Sequence, residues 1–294
     1  MPVMRGSRAA VFGGINAPPG PLDVAGGALG AFGLRALSRS YALNGGPFAD
    51  LRRSTDNAAM TAYAMRNGKF PISSLLAWAG SASVYVSKWY DQSGNGYHAA
   101  QSTAANQPMI VNAGALVTQN GQPSLLFSGN NNSGFSQAPI IPSMLTNNLY
   151  LNVVFNPITK VGGLLSWRGG STNAAATFSC DTSAGNNPYM TYNWNDIAST
   201  WQYYGQSVSL NTNYVAEAAY SPSSTSLFLN GSSVTNSVAN TPSPPTNASG
   251  KGLDIASDYY QGSLAGNIGE IVIALSSASR AAIHGNQQAY WGFG

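Results

Sequence analysis

Short apolar or alternating runs, each bounded by clusters of Asn, Gly, Pro and Ser, dominate this chain and leave little room for long helices. The runs Val84–Tyr90, Ser124–Phe127, Leu149–Phe155, Gly163–Trp167, Tyr189–Trp194, Trp201–Tyr204, Tyr214–Tyr220, Thr225–Leu229, Leu253–Ala256 and Ile268–Leu275 have the length and composition of strands. No helix-period segment alternates with them, as a βαβ fold requires. The pattern therefore predicts a mainly β protein, a sandwich or jelly roll with a few short helices. Its clearest hairpin spans Tyr214 to Val234, where Asn230-Gly231 suits a tight reverse turn.

Helical spacing is expected in three places. Leu29, Phe32, Leu34 and Leu37 approximate an apolar face ending near Ser38 to Tyr41; Ile72–Ala79 and Ser277 to about Tyr290 supply the others. Residues 1–24, with Pro18, Pro19 and Pro21, read as an extended arm, and 25–294 as one domain. The Pro-, Ser- and Asn-rich stretch 236–250 is expected to be an exposed loop.

Charge narrows the function. Only 8% of the 294 residues are charged, 13 Lys plus Arg against 10 Asp plus Glu, and no charge falls between Asp91 and Lys160. Amides and hydroxyls must keep that surface wet. The basic excess of the first hundred residues is too sparse for a nucleic-acid stripe, and no apolar run is long enough to span a membrane. No export signal is read, because glycines and prolines interrupt the N-terminal apolar residues. Cys180 stands alone, so neither an internal disulfide nor a thiolate metal site is expected; no metal or cofactor is predicted.

Catalytic signatures are missing: there is no nucleophile elbow, phosphate loop or zinc-protease motif. His98 and His284 read as structural. Glu217 and Glu270 are the only glutamates. Glu217 alternates with Val215 and Ala219, so it is either buried and paired or on a polar face reaching solvent. Asp254 and Asp258 share strand parity and would point to one face if their strand continued. Trp194, Trp201, Tyr203, Tyr204, Tyr259 and Tyr260 offer flat apolar faces suited to sugar rings, with Asp258 nearby for hydroxyls. The densest motif, Trp89, Tyr90, Asp91, Gln92, Ser93, Gly94, Asn95 and Gly96, reads as a hydrogen-bonded corner after a strand, with cation or sugar binding as the alternative.

These blocks carry a resemblance. Phe32 to Tyr41, Leu51 to Asn57, Trp89 to Gly96, Ala104 to Pro108 and Asn120 to Gly129 follow one another as in a concanavalin-A-like jelly-roll domain family. Leu227 to Gly231 and Gly262 to Trp291 look like the final strands and helix of laminin-G-like domains. The family includes the catalytic domain of α-L-arabinofuranosidase B (glycoside hydrolase family 54) and phage virion proteins of tail, fibre and capsid surface. The resemblance implies a non-enzymatic virion structural protein that displays a lectin-like jelly roll. Its expected partners are other virion proteins, further copies of itself and a host glycan. The alternative is a carbohydrate-binding module or a degenerate arabinofuranosidase-like hydrolase. The family's nucleophilic glutamate matches Thr191, its acid matches Asp258, and its neighbouring cysteine pair is absent.

Overall fold

The computed structural model describes residues 17–130, 133–140, 148–167, 176–181, 189–194, 201–221, 224–234, 252–258 and 262–293. Two sheets face each other. The larger, 13-stranded sheet runs in the order Ser232–Val234, Ser224–Leu229, Tyr214–Ser221, Leu149–Lys160, Ala265–Ala274, Leu125–Ser128, Met109–Asn112, Val84–Trp89, Pro47–Arg53, Ala59–Tyr63, with Gly30–Gly33, Ala99–Ala100 and Ala115–Leu116 pairing off this path with Ala265–Ala274, Val84–Trp89 and Met109–Asn112. The 8-stranded sheet runs Phe135–Ala138, Leu253–Ile255, Gly163–Ser166, Ala176–Asp181, Tyr189–Trp194, Trp201–Ser207, with the short pair Ser257–Asp258 and Gly262–Ser263 attached to Gly163. Mainly β architecture with antiparallel sheets is thus as the punctuation predicts.

Alternation sorts the larger sheet's side chains into two environments. Leu149, Leu151, Val153, Phe155, Ile268, Ile271 and Ile273 enter the common core, where Leu165, Phe178, Cys180, Met190, Leu253 and Ile255 of the smaller sheet meet them. On the opposite face, Tyr150, Val154, Val215 and Val272 pack beneath the C-terminal helix Arg280–Trp291 through Ile283 and Trp291. The register steps from Val154↔Glu270 to Phe155↔Ile268, leaving Gly269 as the extra residue of a bulge. A Cβ at Gly269 would run into Trp291 Cη2. Gly269→Ala is therefore expected to lift the end of the helix and cost about 1–3 kcal/mol, measured by chemical denaturation followed through tryptophan fluorescence.

Asn230 (φ 50) and Gly231 (φ 77) make the predicted turn between Ser224–Leu229 and Ser232–Val234. Two expectations need correcting. The helix expected from Leu29 to Tyr41 is instead the strand Gly30–Gly33, paired with Ala265–Ala274, and only Arg39–Leu43 is helical. All four residues of that strand are buried, so apolar spacing there carried no helical information. Of the expected arm, 1–16 lie outside the described residues, as does the loop 236–250. The described end is not extended: Pro21–Val24 forms a helical turn, Asp23 Oδ2 accepts from Gly20 N–H at 2.7 Å, and Leu22 N–H donates to Leu37 O at 2.9 Å.

Candidate functional site

The face of the smaller sheet turned away from the core is built from two cross-strand rows. In one, Ser166 pairs with Asp254 on one side and Thr177 on the other, Thr177 with Asn193, and Asn193 with Trp201. In the other, Gly163 pairs with Ser263 and Ser179, Ser179 with Thr191, and Thr191 with Tyr203. The intervening row, Ile255, Leu165 and Phe178, belongs to the core. Among the residues whose side chains are described, these rows carry the hydroxyls of Ser166, Thr177, Ser179 and Ser263 and the carboxylate of Asp254, and along the register they continue to the edge strand Trp201–Ser207. Ser166, Thr177, Ser179 and Ser263 are at most 1% exposed although they turn from the core. They form a floor on this face that other parts of the chain cover.

Asp254 and Asp258 border this floor, but not on one continuous strand. Ala256 between them has φ 62 and is wholly buried. Its N–H donates to Leu164 O at 2.9 Å and its carbonyl accepts from Leu264 N–H at 3.0 Å. The left-handed residue ends Leu253–Ile255 and sends Ser257–Asp258 into pairing with Gly262–Ser263. The parity shared by the two aspartates is therefore broken by a strained alanine, a feature found at functional sites. Ala256→Val is expected to cost about 1–3 kcal/mol, because a β-branched residue tolerates positive φ poorly. Ala256→Gly should stay within about 1 kcal/mol of the parent in the same urea titration.

Trp194, Trp201 and Tyr203 occupy the two outermost strands of this sheet, while Tyr259 and Tyr260 lie outside the described residues. Side chains of Trp194, Trp201, Tyr203 and Asp258 also lie outside them. Thr191 pairs with Ser179 and Tyr203, in the middle of the second row.

The Trp89 to Gly96 motif sits elsewhere, on the larger sheet, and is closed on itself. Asp91, 4% exposed, accepts at Oδ1 from Ala31 N–H (2.9 Å) and Ser93 N–H (2.9 Å), and at Oδ2 from Ser93 Oγ (2.7 Å) and Tyr97 N–H (3.0 Å). Gln92 accepts from Leu37 N–H and donates to the carbonyls of Gly33 and Arg35. Asn95 Nδ2 donates to the carbonyls of Ala28 and Leu29, and Trp89 Nε1 to Gly33 O. His98 Nδ1 accepts from Asp91 N–H at 3.2 Å, and burial lowers its pKa, favouring the neutral ring this bond needs.

A second polar cluster, which sequence spacing did not assemble, lies under the C-terminal helix and uses both glutamates. Glu270 accepts from Arg35 Nε (2.8 Å) and Nη2 (3.2 Å), Gln287 Nε2 (3.0 Å) and Trp291 Nε1 (3.3 Å). Glu217 accepts from Arg280 Nη1 (3.0 Å) and the Tyr150 hydroxyl (3.1 Å). His284 Nδ1 lies 2.8 Å from Glu217 Oε1, a close contact without hydrogen-bond alignment. Asn152 and Gln287, exchanging amide bonds of 2.8 and 2.6 Å, join the two halves. Burial and the neighbouring Glu217 hold the Tyr150 hydroxyl far above its usual pKa, so it remains a donor. Of the alternatives for Glu217, buried and paired is the one found. Among the described residues, no three His, Cys, Asp or Glu side chains converge as metal ligands, and no helix is long and apolar enough to cross a membrane.

No protein-family model matches the sequence, and no curated protein does. Solved structures do. A mutant of a family-54 α-L-arabinofuranosidase soaked with 4-nitrophenyl α-L-arabinofuranoside aligns with TM-score 0.68 at 16% identity, over 91% of this chain and 64% of that one. The same class of enzyme soaked with a cyclic sulfate inhibitor gives 0.67, and an arabinofuranosidase bound to arabinofuranosyl-α-1,2-xylobiose gives 0.65, with the same identity and coverage. The chain thus spans 64% of the length of these structures, and the likeness establishes the β-sandwich fold. The expectation of a non-enzymatic protein is corrected here: the solved structures that share this fold are arabinofuranosidases, which are glycoside hydrolases.

Proposed function

We propose that the chain is a glycoside hydrolase of arabinofuranosidase architecture that works on a glycan laid across the hydroxyl floor of the smaller sheet. The observation that carries this is the pair of cross-strand rows, small polar residues bordered by Asp254 and Asp258 and ending at Trp201 and Tyr203. Glu217 and Glu270 are excluded from the chemistry, since both are wholly buried in ion pairs behind the larger sheet. Aspartates must supply it.

Thr191, standing where the resemblance puts a nucleophilic glutamate, has no carboxylate to form a glycosyl ester, so water attacks directly. Asp258 gives its proton to the leaving glycosidic oxygen as the bond to the anomeric carbon breaks. Asp254 takes a proton from the water whose oxygen forms the new bond, and the anomeric configuration inverts. Incubation with 4-nitrophenyl α-L-arabinofuranoside tests this. Nitrophenol release with an inverted sugar product is expected, falling about 100-fold or more in Asp258→Asn. A retained product, or no release from the parent chain, contradicts it. A phage particle is the proposed setting, with other virion proteins and further copies of the chain as neighbours and a host surface glycan as substrate. Antibody labelling of intact particles checks the location.

A further inference from the structure

We infer that the strand Ala59–Tyr63 is an interface, and that its partner is a second copy of this chain, joined edge to edge about a two-fold axis through Thr61. The inference needs neither the hydrolase reading nor the particle; it assigns the surface at which copies meet. One end of the larger sheet is finished by Ser232–Val234, three residues long with both serines exposed, a short polar edge that resists pairing. The other end is Ala59–Tyr63, which contains neither proline nor charge. No described strand pairs with its outer side, Ala59 is exposed and Tyr63 is 55% exposed. Two hydrogen bonds bracket this strand and set its phase: Arg53 N–H donates to Ala58 O at 2.9 Å, and Ala64 N–H to Gly46 O at 2.8 Å. Antiparallel pairing alternates, so Met60 and Ala62 bond inward to Pro47–Arg53, while Ala59, Thr61 and Tyr63 turn N–H and C=O to the open side. Such a row on an uncharged strand is a template for another strand.

The occupant follows from self-complementarity. A copy laid antiparallel about Thr61 sets Thr61 against Thr61, Ala59 against Tyr63 and Met60 against Ala62, so that each large side chain faces a small one. Ala62 is buried and Met60 packs on the core, so their pair continues the core face, and Tyr63 covers Ala59 on the other. A two-fold axis brings like charges together, and this strand offers none. The charges one and two strands behind it are engaged within the chain: Asp50 with Lys88 at 3.5 Å and with the Thr61 hydroxyl at 2.7 Å, and Arg52 with Gln107 and Asn57. Gly46 also ties the end of the helix Arg39–Leu43 to Ala64, so the exposed Leu43, Tyr63 and Met65 add apolar contact at one corner of the edge. A five-residue pairing with that flank belongs to the small, reversible class of interface.

Sedimentation velocity of the full chain tests this, with a dimer fraction that rises with concentration as the expected result. Thr61→Lys sets two ammonium groups against each other at the axis and should weaken the dimer about tenfold or more at low salt, and by less at high salt. Thr61→Cys is nearly isosteric and keeps the test open if lysine disturbs the strand. Mild oxidation should then give a disulfide-linked dimer, since paired Cα atoms at a hydrogen-bonded site stand about 5.5 Å apart. Ser232→Cys, on the opposite edge, should stay unlinked, and the native Cys180 is buried. A chain that is monomeric up to its solubility limit, or a dimer that keeps its full strength in Thr61→Lys, overturns the inference. Failure of Thr61→Cys to link a chain that does dimerise, or linkage through Ser232→Cys in its place, overturns it as well. Each of these failures leaves the hydrolase reading standing, because none of them touches the smaller sheet.

Discussion

Arg35→Ala is expected to destabilise the domain by about 3–5 kcal/mol, because it leaves the wholly buried Glu270 carboxylate without its cation. Arg35 does more than neutralise charge. Its Nη2 also donates to Asn286 Oδ1 at 2.7 Å, and its guanidinium lies 4.2 Å from the centre of the Tyr290 ring. Asn286 in turn donates to Pro19 O, so one arginine ties the central strand, the C-terminal helix and the N-terminal segment together. Glu270→Gln should cost a similar amount, about 3–5 kcal/mol, since it leaves the buried Arg35 guanidinium without its anion and turns an amide NH2 toward groups that donate. Urea denaturation of the three proteins gives the comparison. A loss near zero in Glu270→Gln beside a large one in Arg35→Ala would show that packing of the arginine, and not the unpaired charge, sets the cost.

Asp91→Ala is expected to cost about 2–4 kcal/mol, because the buried N–H of Ala31 and the half-buried N–H groups of Ser93 and Tyr97 lose their acceptor, at about 1–3 kcal/mol for a donor left fully buried and less for the other two. The consequence reaches the sheet. Ala31 belongs to Gly30–Gly33, whose register against Ala265–Ala274 pairs Ala31 with Val272. Amide exchange at Ala31 and Tyr97 should accelerate with the loss of stability, while Asp91→Asn, which keeps one acceptor oxygen, recovers part of it. A change confined to Ser93 would mean that the corner does not anchor that strand.

How much of this was visible in the sequence depended on whether period-2 alternation survived. Tyr189–Trp194 is the strand its residues predict, and the hairpin after Tyr214 turns where Asn230-Gly231 stands. Pro47–Arg53 escaped because Arg52 and Arg53, charged residues in a strand, lay their guanidinium groups over Tyr85 and Trp78 at 5.0 and 4.9 Å, hiding apolar contact inside polar letters. The floor of the candidate site was legible in principle: Thr177-Phe178-Ser179-Cys180 alternates hydroxyl and apolar, and places Phe178 and Cys180 in the core. Its match to Ser263 was not, since more than eighty residues separate the two and only the sheet register joins them. Asp254 and Asp258 show the opposite failure. Their spacing promised one strand, and the left-handed backbone at Ala256, which a buried alanine does not advertise, broke it. The buried glutamates follow the same rule, because the partners of Glu217 and Glu270 come from distant arginines and from the C-terminal helix.

The central claim is that glycan chemistry belongs to the face of the smaller sheet turned away from the core. Crystals of the Asp258→Asn chain soaked with arabinofuranosyl-α-1,2-xylobiose test it most directly. The predicted result is sugar density over Ser166, Thr177, Ser179 and Ser263, with Asp254 at its border. Sugar bound against the larger sheet or the Asp91 corner, or an unoccupied floor at saturating sugar, would contradict it.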